Sequence, residues 1–401
     1  MIEPVFSEWL RTDGRPAHHG EPLSGFLDRV DQMLFARVRA LINEWVARLP
    51  DEAAADIAAR LRSPLDDVFR SAFWELYVHE LLVRCGFSIE IHPSVHATTK
   101  VPDFKAVRQG LELFVEATVA STAAETRASD ARTGVAYDEL NKIDSPNYFL
   151  WVDIDSSGPA APPLRQLRTE VELWLKTLDP DDVLASVVAA GTADAMPRLR
   201  WAWNGWAFTI GAYPKSRSAR GIAGIRPVGI YGSGEAEIID DRGPLLRRMR
   251  RKASRYGDLP LPYVIAVSGS TFTTNETDLV DALFGSDAVR VGYALDGTVR
   301  AQSARRPDGL WRRAGGVGAA NVSAVLFVPY IEPWEVAKKA PLLVHHPGAA
   351  RPLAIDCEFI WIGEVRNGEL EWRKPRRPIC DLFSLSDNWP GPEGPFEGVN
   401  S

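Results

Sequence analysis

The stretch from Val101 to Val119, VPDFKAVRQGLELFVEATV, alternates apolar and polar residues on either side of Gln109 and Gly110, and that pattern admits few structures. Alternation with a period of two marks a half-buried strand, and two such runs separated by two residues read as a hairpin. With Gln109 and Gly110 at the turn, Asp103 falls opposite Glu116. Phe104, Ala106, Leu111, Leu113, Val115 and Ala117 then share one wholly apolar face, and Asp103, Lys105, Glu112, Phe114, Glu116 and Thr118 share the other. Directly opposed side chains sit about 5 Å apart at Cβ, so two ionised acids repel there unless a cation or a shared proton intervenes.

A helix precedes this hairpin. Ser63 suits a cap, Pro64 the first helical position and Asp66 the positive end, while Gly86 ends the helix. From Ser71 to Cys85 it is apolar nearly all round, which marks it as buried, and Ser71, Glu75 and His79 form the single polar row. Glu75, Asp103 and Glu116 therefore all lie inside apolar runs, where an unpaired carboxylate is costly. A hard cation, Mg²⁺ or Mn²⁺, held by carboxylates and waters is one solution. A structural ion pair is the other.

Around these residues the expected element order is α-β-β-β-α-β, with strands at FSIEI, VPDFKAV and LELFVEATV, a helix ending YDELNKI and a strand NYFLWVDI. Upstream, residues 1–62 read as a helical extension, since Leu27, Val30, Leu34, Val38, Leu41 and Trp45 recur at three- and four-residue steps. The α/β core is placed at residues 63–155 and a proline-rich linker at Ser156 to Leu164. A mixed α/β region at 165–374 and an irregular Pro- and Gly-rich tail at 375–401 complete the chain.

At these residues the chain resembles the PD-(D/E)XK nuclease superfamily, whose restriction-endonuclease-like core runs α-β-β-β-α-β. The resemblance rests on Glu75 in the first helix, Pro102 and Asp103 on the second strand, and Glu116, Ala117 and Thr118 on the third. It implies that Asp103 and Glu116 bind a divalent metal, that Glu75 completes the site, and that the reaction is metal-dependent hydrolysis of a DNA phosphodiester, as in restriction, phage defence or repair. Thr118 stands where the family carries its lysine. Lys105 on the acid face, Lys142 in ELNKI and Lys252 at the edge of the apolar stripe of GPLLRRMRRKASRYG are three candidates to replace it. Without such a replacement the expectation becomes an inactive pseudo-nuclease, a nucleic-acid-binding or regulatory module. An interaction scaffold with no nucleic-acid role is a third reading.

Of 401 residues, 45% are hydrophobic and 25% charged, enough for two packed domains or one elaborated one. No run approaches the roughly 20 apolar residues of a membrane span, and the first fifteen residues hold Glu3, Glu8, Arg11, Asp13 and Arg15, so a cytoplasmic protein without membrane contact is expected. The net charge of −7 argues against a surface that is basic throughout, yet Arg198 to Arg255 holds 13 Lys and Arg against 4 Asp and Glu. Arg247, Arg250, Arg251 and Arg255 point away from that helix's apolar stripe and are the expected DNA contacts; a homodimer or a protein partner is compatible with the remaining surface. His92, His345 and His346 lack the spaced Cys and His partners of a zinc site, and the three cysteines are too few for a disulfide framework. Trp201, Trp203 and Trp206 read as core aromatics before base-stacking ones.

Overall fold

The computed structural model describes residues 3–18, 20–95, 100–120, 135–190, 195–221, 227, 241–269, 271, 273–293 and 299–391. These divide into two compact units. One comprises Met1–Arg15, Pro22–Ser121 and Ile239–Ser401, and the other Pro16–Glu21 with Thr122–Ile238. Among the described residues no helix is long and apolar enough to cross a membrane.

In the first unit, helices α1 (Leu23–Arg29), α2 (Met33–Val46), α3 (Asp51–Leu61) and α4 (Asp66–Arg84) lead into strands β1 (Ser88–Ile91), β2 (Phe104–Arg108) and β3 (Leu111–Val119). The second unit follows, with β4 (Tyr148–Ser156), α5 (Leu164–Leu175), α6 (Pro180–Ala190), β5 (Arg198–Trp203) and β6 (Trp206–Pro214). The chain then returns to the first unit through α7 (Arg242–Ala253), β7 (Tyr263–Ser268) and α8 (Glu276–Phe284). A hairpin of β8 (Asp287–Tyr293) and β9 (Val299–Arg305) and a short one of β10 (Arg312–Arg313) and β11 (Gly316–Val317) come next. Strands β12 (Ala324–Val328), β13 (Leu342–His345), β14 (Trp361–Arg366) and β15 (Glu369–Arg373) and helix α9 (Ile379–Phe383) close the described chain.

The α/β class is realised as one eight-stranded mixed sheet in the order β1-β2-β3-β7-β12-β13-β14-β15. β1, β2 and β3 form an antiparallel meander, and β3, β7 and β12 run parallel. The hairpin register is as its alternation predicts: Arg108 pairs with Leu111 and Phe104 with Val115, with Gln109 at φ 49° and Gly110 at φ 82°. Two successive positive φ values make a type I′ turn, the geometry that follows the right-handed twist of the strands and that glycine adopts without strain.

Helices cover both faces of the sheet. Phe104, Ala106, Leu113, Val115, Val264, Ala266 and Leu326 share a core with Phe73, Trp74, Tyr77 and Leu81 of α4. Phe114, Ile265, Val267, Val325 and Phe327 share the opposite core with Leu245, Leu246 and Met249 of α7 and Leu279 and Leu283 of α8. β7 is buried at every position, which is why YVIAVS carries no polar alternation. Trp74 pins α4 to the sheet through a 3.1 Å bond from Nε1 to the Ala266 carbonyl.

Several expected boundaries change. α4 begins at Asp66, two residues beyond Pro64, because Ser63 Oγ accepts the Leu65 N–H and forms a turn of its own. It ends at Gly86 as expected: φ is +85°, and the Gly86 and Phe87 N–H groups bond the Val83 and Leu82 carbonyls. The strand NYFLWVDI does not extend the meander. It pairs with β6 in the separate three-stranded sheet β4-β6-β5, and the strand parallel to β3 is β7, more than 140 residues downstream of it. Residues 63–155 therefore do not form one core. Nor is Ser156 to Leu164 a free linker: Ser156 still belongs to β4, the Gly158 backbone packs on Asn204 and Trp206, and Trp206 Nε1 donates to the Ala160 carbonyl at 2.7 Å. In the expected irregular tail, Ile379, Cys380, Leu382 and Phe383 are apolar at helical spacing and build α9, with Phe383 against Trp45 and Tyr77. Trp201 and Trp206 are buried against Phe208, whereas Trp203 at the β5–β6 turn is partly exposed.

Candidate functional site

Register places the acids. Phe104 pairs with Val115, so Asp103, one residue before β2, stands opposite Glu116 at the same end of the sheet. Asp103 Oδ2 accepts the Ala117 N–H at 2.7 Å, which fixes its carboxylate beside β3. Burial pushes the Asp103 carboxyl up to about 7, and the negative charges of Glu116 and Glu75 push in the same direction. The cost of opposing two acids thus falls in part on Asp103, whose proton is held more tightly than that of a free carboxyl.

Glu116 is only 1% exposed, and its charge is met differently. Oε1 bonds the Lys252 ammonium and lies 3.5 Å from Arg255 Nη1, and Oε2 accepts from the Tyr256 hydroxyl. One residue further along the same face, Thr118 Oγ1 accepts from Arg248 Nε at 2.6 Å. Arg248, Lys252, Arg255 and Tyr256 recur at intervals of four, three and one, a single stripe running along α7 and its C-terminal turn onto the acid strand. Lys252, 7% exposed, thus points inward. Burial and the neighbouring Glu116 raise the Tyr256 hydroxyl above its ordinary value, so it serves as a donor.

Glu75 approaches from α4. Its Oε2 is 2.5 Å from Arg60 Nη2, and burial raises its carboxyl above the ordinary value despite that pair. Beside it, His92 follows β1 and donates its backbone N–H to the Asp103 carbonyl at 2.9 Å. Ligand atoms of Glu75, His92 and Asp103 all lie within 4.8 Å of one another, a spacing one cation can span. Glu75 and His92 also line a small cleft together with Asp56, His79 and Phe104.

Of the expected metal set, then, Asp103 and Glu75 converge, whereas Glu116 is turned to Lys252 and Tyr256 and His92 takes the third place. His92 was legible in principle: extending the β1–β2 pairing of Ile91 with Phe104 by one step sets His92 against Asp103. Of the three lysines, Lys105 is occupied by Glu112 at 2.8 Å, and Lys142 lies in the second unit, bonded to Glu139 at 2.6 Å. Lys252 alone of these reaches an acid of the expected set. The basic cluster also divides. Arg255 belongs to the Glu116 group rather than pointing away, and Arg250 is anchored to the Asp308 carbonyl at 2.9 Å. Arg247 and Arg251 are exposed. The Arg198–Arg255 segment is split between the two units, and its Arg226 lies outside the described residues. A further buried acid escaped notice in the sequence: Glu80, fully buried on α4, is held by Arg48 at 2.7 Å and Arg84 at 3.2 Å and is a structural ion pair.

Compared with protein-family models, with curated proteins and with solved structures, the chain gives no match.

Proposed function

We propose that this protein is a metal-dependent nuclease with a restriction-endonuclease-like core, hydrolysing DNA phosphodiesters in restriction, phage defence or repair. The observation that carries the reading is Lys252. The order α4-β1-β2-β3-α7-β7 is α-β-β-β-α-β once the second unit is treated as an insertion between β3 and α7, and its second helix delivers a lysine to the third-strand acid.

The donor set fits a divalent cation. Glu75, His92 and Asp103 converge, and burial, with the charges of Glu116 and Glu75 adding to it, disfavours an uncompensated charge on Asp103. A cation held there would polarise the phosphate and lower the pKa of a water near it. The protein's own groups act around that centre. Arg60 orients Glu75, the Ala117 N–H orients Asp103, and Glu116 with Tyr256 holds the Lys252 ammonium in a fixed position. Lys252 would stabilise charge growing on the phosphoryl oxygens as a water oxygen bonds to phosphorus and the ester P–O bond breaks. Arg255, half-exposed at the rim, would bind the strand's backbone phosphate.

A second reading, an inactive DNA-binding or regulatory module, is favoured by one observation: both Glu116 oxygens are already engaged by the protein's own donors. Incubating the purified chain with supercoiled plasmid and with single-stranded DNA in Mg²⁺, Mn²⁺ or EDTA separates the two. Cation-dependent cleavage lost in Lys252→Met supports the nuclease. Cation-dependent stabilisation with no cleavage selects the module, and neither effect refutes both.

A further inference from the structure

Far along α4 from the acids, Cys85 caps the helix C-terminus and its Sγ lies 3.1 Å from Sγ of Cys357, 272 residues away in sequence. Both are free thiols. Two features hold the pair in register. Arg108, the last residue of β2, donates from Nη1 to the Cys85 carbonyl at 2.7 Å and from Nη2 to the Asp356 carbonyl at 3.3 Å, so one guanidinium clamps the backbone beside each sulfur. Its stem is in turn seated by the guanidinium over the Phe87 ring at 4.5 Å. The thiols also border an apolar pocket lined by Leu82, Phe87, Leu353 and Ile355 among others.

We propose that Cys85 and Cys357 are a redox-active pair that closes to an intramolecular disulfide, stapling the C-terminal end of α4 to the segment ahead of β14. The chemistry favours Cys357 as the attacking sulfur. The hydrogen bond between the two sulfurs, which either thiol can donate, together with the Phe359 N–H and Arg108 nearby, holds the Cys357 thiol below the ordinary value, while Cys85 is held above. With a low-molecular-weight disulfide such as oxidised glutathione, the Cys357 thiolate bonds to one glutathione sulfur and expels the other as a thiolate. Cys85 then gives up its proton and attacks the Cys357 sulfur, expelling the second glutathione thiolate. Two protein thiols are oxidised, the glutathione disulfide is reduced to two thiols, and the protons pass to them.

The third thiol, Cys380, is buried and serves as the internal control. The full-length reduced chain is incubated with excess oxidised glutathione, alkylated under denaturing conditions, and examined by intact mass, thiol count and peptide mapping. The expected result is one alkylatable thiol remaining of three, a peptide linking Cys85 to Cys357, and a melt raised by roughly 5 °C that dithiothreitol reverses. Cys380→Ser should oxidise identically, whereas Cys85→Ser should stop at a glutathione adduct on Cys357. Three thiols surviving in the parent, or a linkage through Cys380, overturns the proposal; because peptide mapping is done on the parent, a poorly folding variant does not weaken it.

Discussion

Replacing Lys252 by Met tests the centre of the site. Glu116 is 1% exposed and Lys252 7%, so the substitution leaves a carboxylate in the interior without its main partner. Removing one member of a buried pair costs about 3–5 kcal/mol. The Tyr256 hydroxyl stays bonded to Glu116, and Arg255 at 3.5 Å can move closer, so the lower end, about 3 kcal/mol, is expected. At about 2 °C per kcal/mol for a unit of this size, melting in EDTA should fall by about 6 °C. Glu116→Gln removes the same charge pair from the other side and should cost less, since the flexible lysine can shed its proton or extend toward solvent. The double variant Lys252→Met/Glu116→Gln should therefore melt above Lys252→Met alone, a coupling of about 1–3 kcal/mol. Differential scanning fluorimetry on the four proteins in EDTA measures the cycle. If Lys252→Met melts within a degree of the parent, or the two substitutions simply add, the pair does not hold Glu116 and the site is built on another contact.

Asp103→Asn should stabilise the cation-free protein with a characteristic pH profile. Its carboxyl, raised from 3.8 to about 7, keeps in the folded state a proton that the unfolded chain releases, so cation-free stability should fall as pH rises from 4 to 7; the full shift is worth about 4 kcal/mol before solvent screening, and melts in EDTA from pH 4 to 8 should flatten in the variant. Mn²⁺ or Mg²⁺ at a hundredfold excess over its dissociation constant should stabilise the parent by about 2.7 kcal/mol, and Glu75→Gln, His92→Ala and Asp103→Asn should each lose most of that gain in a titrated melt. Arg247→Ala with Arg251→Ala should lower the slope of log affinity for DNA against log salt by up to about 1.8, with an unchanged melt, and an unaltered slope in fluorescence anisotropy rejects that face. Lys105→Met and Lys142→Met should cut DNA at the parental rate in a plasmid assay, since Glu112 and Glu139 already occupy those lysines.

What the chain discloses without a structure is what neighbouring residues decide. The hairpin at Gln109 and Gly110, its register, the apolar face of β2 and β3 and the αL glycine ending α4 all follow from contacts within a few positions, and each is found where local chemistry puts it. The opposition of Asp103 and Glu116 comes with the register. What the chain conceals is pairing across distance. Tyr148–Ser156 and Tyr263–Ser268 are both good strands by composition, and chain order alone points to the nearer one as the neighbour of β3. The difference was nevertheless present as a period: Tyr263–Ser268 is apolar without interruption, as a strand flanked by parallel neighbours and covered on both faces must be, whereas Tyr148–Ser156 ends in WVDIDS with alternating acids, the pattern of a strand covered on one side.

The same reasoning explains why Lys252, of the three candidate lysines, is the one that reaches Glu116. A parallel pair such as β3 and β7 cannot be joined by a tight turn; it requires a crossover, and a crossover accepts an insertion of any length provided a helix finally packs back on the sheet. Here the chain leaves β3 before residue 121, builds the second unit, and re-enters through α7 at Arg242. Leu245, Leu246 and Met249 seat that helix on the face that holds Phe114 and Glu116. Once it is seated, geometry does the rest: Arg248 and Lys252, one turn apart, meet Thr118 and Glu116, two residues apart on the strand, since a helical turn of about 5.4 Å and a two-residue strand step of about 6.6 Å nearly match. Thr118 and Lys252 are thus linked by position. Thr118 is short and buried with Arg248 bonded to it, and the helix opposite places Lys252 one turn further along, so Thr118→Lys would set two lysines and Arg248 in one buried site and should destabilise the fold.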